Sequence, residues 1–126
     1  MAGLTLDSGA LIAVENGDKR VIATIDEAVR AGALLTVPTV VVAQVWRNGS
    51  RSAIIARLLK QCDVEVLTEP LARRAGALMT RTGKRDAVDA IVVVSAVQRG
   101  DDILTSDPND FAILANGSSN IRIVPV

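Results

Sequence analysis

A chain of 126 residues, 49% hydrophobic, 22% charged and of mean hydropathy +0.34, is long and apolar enough to bury a core, which excludes intrinsic disorder and suits a single domain over residues 1–126. Fourteen Lys plus Arg balance fourteen Asp plus Glu, and this zero net charge argues against a uniformly basic nucleic-acid binder. There is no His, so imidazole-based nucleophile systems, His-dependent ribonuclease chemistry and His-ligated zinc are excluded.

Short apolar segments alternate with longer amphipathic ones. Gly3 to Leu6 reads as a buried strand ending at Asp7, and Ser8 to Val14 as a short helix stopped by Asn16-Gly17. Lys19 to Arg30 carries apolar residues at 21, 22, 25, 28 and 29, the spacing of one helix face, and Gly32 ends it. Leu34 to Val37 predicts a second strand. Pro38 opens a helix to about Arg47, and Asn48-Gly49-Ser50 separates it from another over Arg51 to Lys60. Val64 to Leu67 is expected as a strand, Pro70 to Thr82 as a helix, and Asp86 to Gln98 as a longer, very apolar helix stopped by Gly100. Ile103 to Thr105, Pro108 to Leu114 and Ile121 to Val124 follow as strand, helix and strand. Strands separated by helices pair in parallel, so the expected fold is α/β, a three-layer α/β/α sandwich around a central parallel sheet of about five short strands.

No membrane span is expected: the apolar run from Leu34 to Trp46 is broken by Thr36, Pro38, Thr39 and Gln44. The amino terminus does not read as a secretory leader. The single Cys62 cannot close an internal disulfide, and a cytoplasmic location is expected. One Phe, one Trp and no Tyr leave little for an aromatic platform that stacks bases.

In sheets of this type, ligands bind outside the carboxyl ends of the strands, and acids gather there. Asp7 ends the first strand. Thr105-Ser106-Asp107 ends the fourth, with Asp110 one turn on. Asp86 and Asp89, three apart, share a face at the start of the long apolar helix. Each acid alone also reads as part of a helix cap. Jointly they point further. Asp89 enters a helix that continues Ala-Ile-Val-Val-Val, and Asp7 follows an apolar strand; an acid in such surroundings is costly unless paired or bound to a cation. Several carboxylates at one edge repel one another, and a divalent ion is the simplest counter-charge. All-oxygen ligands suit Mg²⁺ or Mn²⁺ and not zinc. Such an ion polarises a phosphoryl oxygen and activates water for in-line attack, with Thr105 or Ser106 placed to hold water or phosphate.

Four stretches resemble PIN-domain proteins in order and spacing, in particular the VapC-type toxins of bacterial toxin–antitoxin pairs. They are Leu4-Thr5-Leu6-Asp7 with Ser8-Gly9-Ala10-Leu11-Ile12-Ala13; Val37-Pro38-Thr39 leading to Ala43-Gln44-Val45; Asp86-Ala87-Val88-Asp89-Ala90; and Leu104-Thr105-Ser106-Asp107 with Asp110-Phe111. The resemblance runs nearly end to end. It implies an endoribonuclease that hydrolyses RNA phosphodiester bonds with Mg²⁺ or Mn²⁺, is restrained by a small antitoxin protein and forms a homodimer. Carried over, Asp7, Asp89 and Asp107 match the metal-binding catalytic acids, and Asp110 matches a frequent extra acid. The family's second acid is usually a Glu on the helix after the second strand. This chain has Gln44 there, an amide that accepts through oxygen but carries no charge. Asp86 is the additional carboxylate that could restore that charge. The alternative is a catalytically weakened PIN-like domain that binds RNA or protein.

The zero net charge conceals segregation. Ala43 to Arg85 holds nine basic residues against three acids, a charge of +6, whereas Asp86 to Asp110 holds six acids against Arg99, a charge of −5. A basic segment beside an acidic pocket would steer a phosphate backbone, with Arg47, Arg51 and Arg85 as candidate RNA contacts; the same residues also read as a solvated helix face. A phosphoacceptor receiver domain also carries acids at strand ends. It is disfavoured here because Val64 to Leu67 leads to Thr68-Glu69 without an acceptor Asp, and the last strand ends in Val124-Pro125 without a Lys.

Overall fold

The structure is a computed structural model that describes residues 2–118 and 121–126, with the side chain of Arg51 outside the described set. Its elements run β1 (Leu4–Leu6), α1 (Ser8–Glu15), α2 (Lys19–Arg30), β2 (Leu35–Pro38), α3 (Thr39–Val45), α4 (Ser50–Leu59), β3 (Asp63–Glu65), α5 (Glu69–Thr82), α6 (Ala87–Arg99), β4 (Asp102–Thr105), α7 (Pro108–Leu114) and β5 (Ile123–Pro125). The strands form one parallel sheet in the order β3-β2-β1-β4-β5. This is the expected α/β architecture. Among the described residues, no helix is long and apolar enough to cross a membrane.

The strand order fixes where a site can form. From β1 the chain steps outward to β2 and β3, then returns to the other side of β1 for β4 and β5. The direction reverses between β1 and β4, so their carboxyl ends open a crevice that no crossover covers. Leu6 of β1 pairs with Leu104 of β4, which brings Asp7 and Thr105 to the same level.

All three residues of β1 are buried, as the middle strand of a parallel sheet requires. α6 lies against β1, β2 and β4, burying Ala90, Val92, Val93 and Ala96, with α5 packed beside it. α1 covers β1 and β4 through Ala10 and Leu11, flanked by α2 and α4. Most of α6 is apolar all round because it sits between the sheet and α5.

Sequence and structure part at the sheet edges. β3 covers Asp63–Glu65, not Val64 to Leu67, and β5 covers Ile123–Pro125, not Ile121 to Val124. Each edge strand has one neighbour, and pairing with it sets the limits: Val64 with Val37, Val124 with Leu104. Val66, at 68% exposure, falls outside the ladder despite its β-branched side chain. Pro125 is tolerated because an edge strand has an unpaired side. The helix expected from Pro38 to Arg47 is shorter: Pro38 completes β2, and α3 stops at Val45.

Gly9 lets α1 approach the end of β4. A Cβ there would stand 2.1 Å from Ser106 Oγ and 2.9 Å from the Ser106 nitrogen, whereas one at Gly76 on α5 would meet nothing within 4 Å. Gly9→Ala should therefore lower stability by roughly 1–3 kcal/mol through overpacking. Gly76→Ala should raise it by roughly 0.5–1 kcal/mol, because alanine is the better helix former. Thermal unfolding of the two variants checks both signs.

Candidate active site

Asp7 precedes α1, Asp86 precedes α6 and Asp107 precedes α7, so three helices begin at the crevice with their partial positive charges toward it. Only Asp86 spends its carboxylate on capping, accepting the Asp89 N–H at 3.0 Å. The side chains of Asp7 and Asp107 make no capping bond.

Asp7 is 4% exposed. Its Oδ2 accepts from Thr105 Oγ1 at 2.9 Å, while Oδ1 is the one buried side-chain polar atom without a partner among the described residues. Burial holds the Asp7 pKa above the ordinary carboxyl range; the neighbouring Ser8 backbone amide and the Thr105 hydrogen bond oppose this, and repulsion from Asp86 and Asp107 adds to it. Thr105 is fully buried, gives its proton to Asp7 and receives the Asp107 N–H at 3.0 Å. Its hydroxyl thus joins and orients two acids. Ser106 is exposed beside it.

Carboxylate oxygens of Asp89, Asp107 and Asp110 lie within 4.8 Å of one another. Asp7 is not one of this trio, but its charge reaches Asp89. Half-buried Asp89 is pushed up to about 7, first by burial and then by repulsion from Asp86, Asp7, Asp107 and Asp110. Asp107 is raised, by desolvation first and then by its hydrogen bond with Asp110. Asp110 is lowered, chiefly by the hydrogen bond from Lys84, whose Nζ lies 2.7 Å from Asp110 Oδ1. Nothing in the sequence beyond membership of the basic segment marks Lys84 as a site residue; 26 positions separate it from its partner.

The five aspartates and Thr105 are thus brought together. Gln44, Arg47 and Arg85 are exposed and make no hydrogen bond or ion pair to them among the described residues; Arg47 turns Nη1 to the Trp46 carbonyl at 2.8 Å. Arg51 lies in α4 with its side chain outside the described set. Cys62 offers no nucleophile, since burial pushes its thiol up to about 11 and Sγ donates to the Leu58 carbonyl. A hard cation fits the donor set: every donor is a carboxylate oxygen, burial and mutual repulsion raise the pKa values of Asp7, Asp89 and Asp107, and Asp7 Oδ1 lacks the partner a buried oxygen requires.

The raised Asp89 value has a consequence for stability. Between about pH 4 and pH 7 the native state binds a proton that the unfolded chain has released, so stability falls as pH rises through that window. In chelator, the melting temperature should fall more steeply across that range for the unmodified chain than for Asp89→Asn. Above pH 7 the variant should be the more stable of the two.

A PIN domain family profile matches residues 4–116. A search among curated proteins gives no match. Among solved structures, VapBC2 from Rickettsia felis, bound to a DNA fragment from its promoter, is similar with TM-score 0.79 and 10% identity over 98% of each chain. A toxin–antitoxin complex from Klebsiella pneumoniae is similar with TM-score 0.70 and 17% identity over 94% of this chain and 95% of the other. FitAcB from Neisseria gonorrhoeae gives TM-score 0.65 and 18% identity over 96% of each chain. At these identities the likeness is one of fold.

Proposed function

The chain belongs to the PIN domain family, and from that premise we propose that it is a divalent-metal-dependent endoribonuclease acting as the toxin of a toxin–antitoxin pair. The observation that carries this reading is the unpartnered, buried Asp7 Oδ1 at the edge of the Asp89, Asp107 and Asp110 cluster. Asp7, Asp89 and Asp107 would hold Mg²⁺ or Mn²⁺. When bound, such an ion supplies charge stabilisation at a phosphoryl oxygen and a water of lowered pKa.

The chain's own groups do the rest. Thr105 fixes the orientation of Asp7 and of the Asp107 backbone, as outer hydrogen-bond partners of ligands do. Asp86 holds the first turn of α6 and thereby the position of Asp89. Arg47, Arg51 and Arg85 are the proposed contacts to the RNA backbone, which makes binding steeply salt-dependent. A small antitoxin is the proposed protein partner, supported by the toxin–antitoxin complexes of like fold. A homodimer is proposed with it, as the family resemblance implies. A cytoplasmic location and a single domain over residues 1–126 complete this reading.

Purified protein with Mn²⁺ should cleave members of a broad RNA panel. Chelator should abolish cleavage, and Asp7→Asn should slow it on the order of 100-fold or more. Equal cleavage by both proteins, or none by either, would contradict the proposal.

Gln44 favours a second reading, in which an exposed amide in place of a carboxylate leaves a PIN-like domain that binds RNA or protein with weakened catalysis. Gln44→Glu separates the two. If the aspartates suffice, it changes the cleavage rate by less than about threefold. If catalysis is lost at this position, the variant gains calorimetric Mn²⁺ binding that the parent chain lacks.

A further inference from the structure

Lys84 stands where the acidic cluster meets solvent. Its ammonium lies 2.7 Å from Asp110 Oδ1, with 31% of the lysine side chain and 43% of the aspartate side chain exposed, so the pair is partly withdrawn from water. Asp110 in turn lies within 4.8 Å of carboxylate oxygens from Asp89 and Asp107. The ammonium is thus bonded directly to one member of the trio. Lys84 is delivered by a defined turn. Gly83, at φ 75°, ends α5 in the left-handed region, the Lys84 N–H donates to Thr82 Oγ1, and Thr82 Oγ1 donates to the Leu78 carbonyl. Two residues later Asp86 starts α6. A lysine held in so short a connection between two helices gives up less freedom on pairing than one on an open surface.

Charge arithmetic gives the pair a meaning. Among the described residues, Asp7, Asp86, Asp89, Asp107 and Asp110 are linked by mutual repulsion or hydrogen bonding, and Lys84 is the one cation paired within the group. Among the described residues the one partnerless buried oxygen, Asp7 Oδ1, belongs to the acid held by Thr105, whereas Lys84 engages Asp110. The two acids therefore differ: Asp110 has its cation and Asp7 does not.

We propose that Lys84 is a resident cation of this pocket, which takes Asp110 out of the ligand set and limits the chain to one divalent ion, held by Asp7, Asp89 and Asp107. This rests on the metal-site reading of the aspartates given above. The lysine does the work that a second ion would do on the Asp107–Asp110 side, and it does so in the free protein, before any substrate arrives. Lys84 is a positioning residue on this view and does not touch the reacting atoms.

The test is metal stoichiometry, read by electron paramagnetic resonance of free Mn²⁺ during titration and needing no activity. The unmodified chain and Lys84→Arg should each bind one Mn²⁺. Lys84→Met, which keeps the length of the side chain without its charge, should bind two, and Lys84→Met with Asp110→Asn should return to one. Circular dichroism of each protein establishes that it is folded before the titration is scored. One ion in both the unmodified chain and Lys84→Met overturns the proposal and leaves the metal site intact. Two ions in the unmodified chain also overturn it. No Mn²⁺ bound by any of the folded proteins overturns the metal-site reading and the proposal together.

Discussion

Five aspartates held at one edge of a sheet repel one another, and much of the structure serves to keep them there. The reversal of strand order between β1 and β4 sets two carboxyl ends side by side, and Asp7 and Asp107 follow those ends. The amino termini of α1, α6 and α7 bring partial positive charge to the same edge. Thr105 ties Asp7 to the Asp107 backbone, and Asp86 is spent on the first turn of α6. None of these contacts removes the excess of negative charge. They fix its location.

The other end of α6 shows acids of this chain met directly by a cation. Arg99 donates to Asp101, Glu65, Ser95 and the Thr5 hydroxyl, Thr5 donates to Asp101, and Ser95 donates to Glu65. Both acids are answered by one guanidinium, and the last turn of α6 is thereby fastened to β1, β3 and the start of β4. Gly3 packs so closely on Asp101 that a Cβ there would lie 2.4 Å from Oδ1. Asp89 lies ten residues back along the same helix, about 15 Å away. The arginine network holds the helix; the acids at its start are left with one lysine among five carboxylates. Along α6, the shortage of counter-charge is greater at the end where the sheet opens.

Much of this was legible in the sequence because it is local. Alternating apolar runs and glycine stops place α2, α5, α6 and α7 to within a residue or two, and residues immediately after strands are where a parallel sheet keeps its chemistry. The edge strands were harder, since hydrogen bonding to one neighbour decides where β3 and β5 begin and end. The capping reading of the helix-start acids divides them: Asp86 is a cap, whereas Asp7 and Asp107 stand at cap positions without capping. Thr105 was readable as a polar residue at a strand end, but its use as a bridge between acids depends on the pairing of β1 with β4. Lys84 with Asp110, and Arg99 with Glu65 and Thr5, join residues 26, 34 and 94 positions apart, and no spacing rule relates such partners before the fold is known. Gln44 shows the reverse case: its departure from the family pattern is plain in sequence, while its exposed place on α3 leaves it without a described partner.

Everything proposed about chemistry turns on whether the partnerless oxygen of Asp7 is a metal ligand. Anomalous diffraction from crystals of the unmodified protein grown with Mn²⁺ addresses this directly. An anomalous peak within bonding distance of Asp7 Oδ1, shared with Asp89 and Asp107, is the predicted result. A peak elsewhere on the chain, or no peak with Asp7 Oδ1 bonded to water or to a protein group, would contradict it.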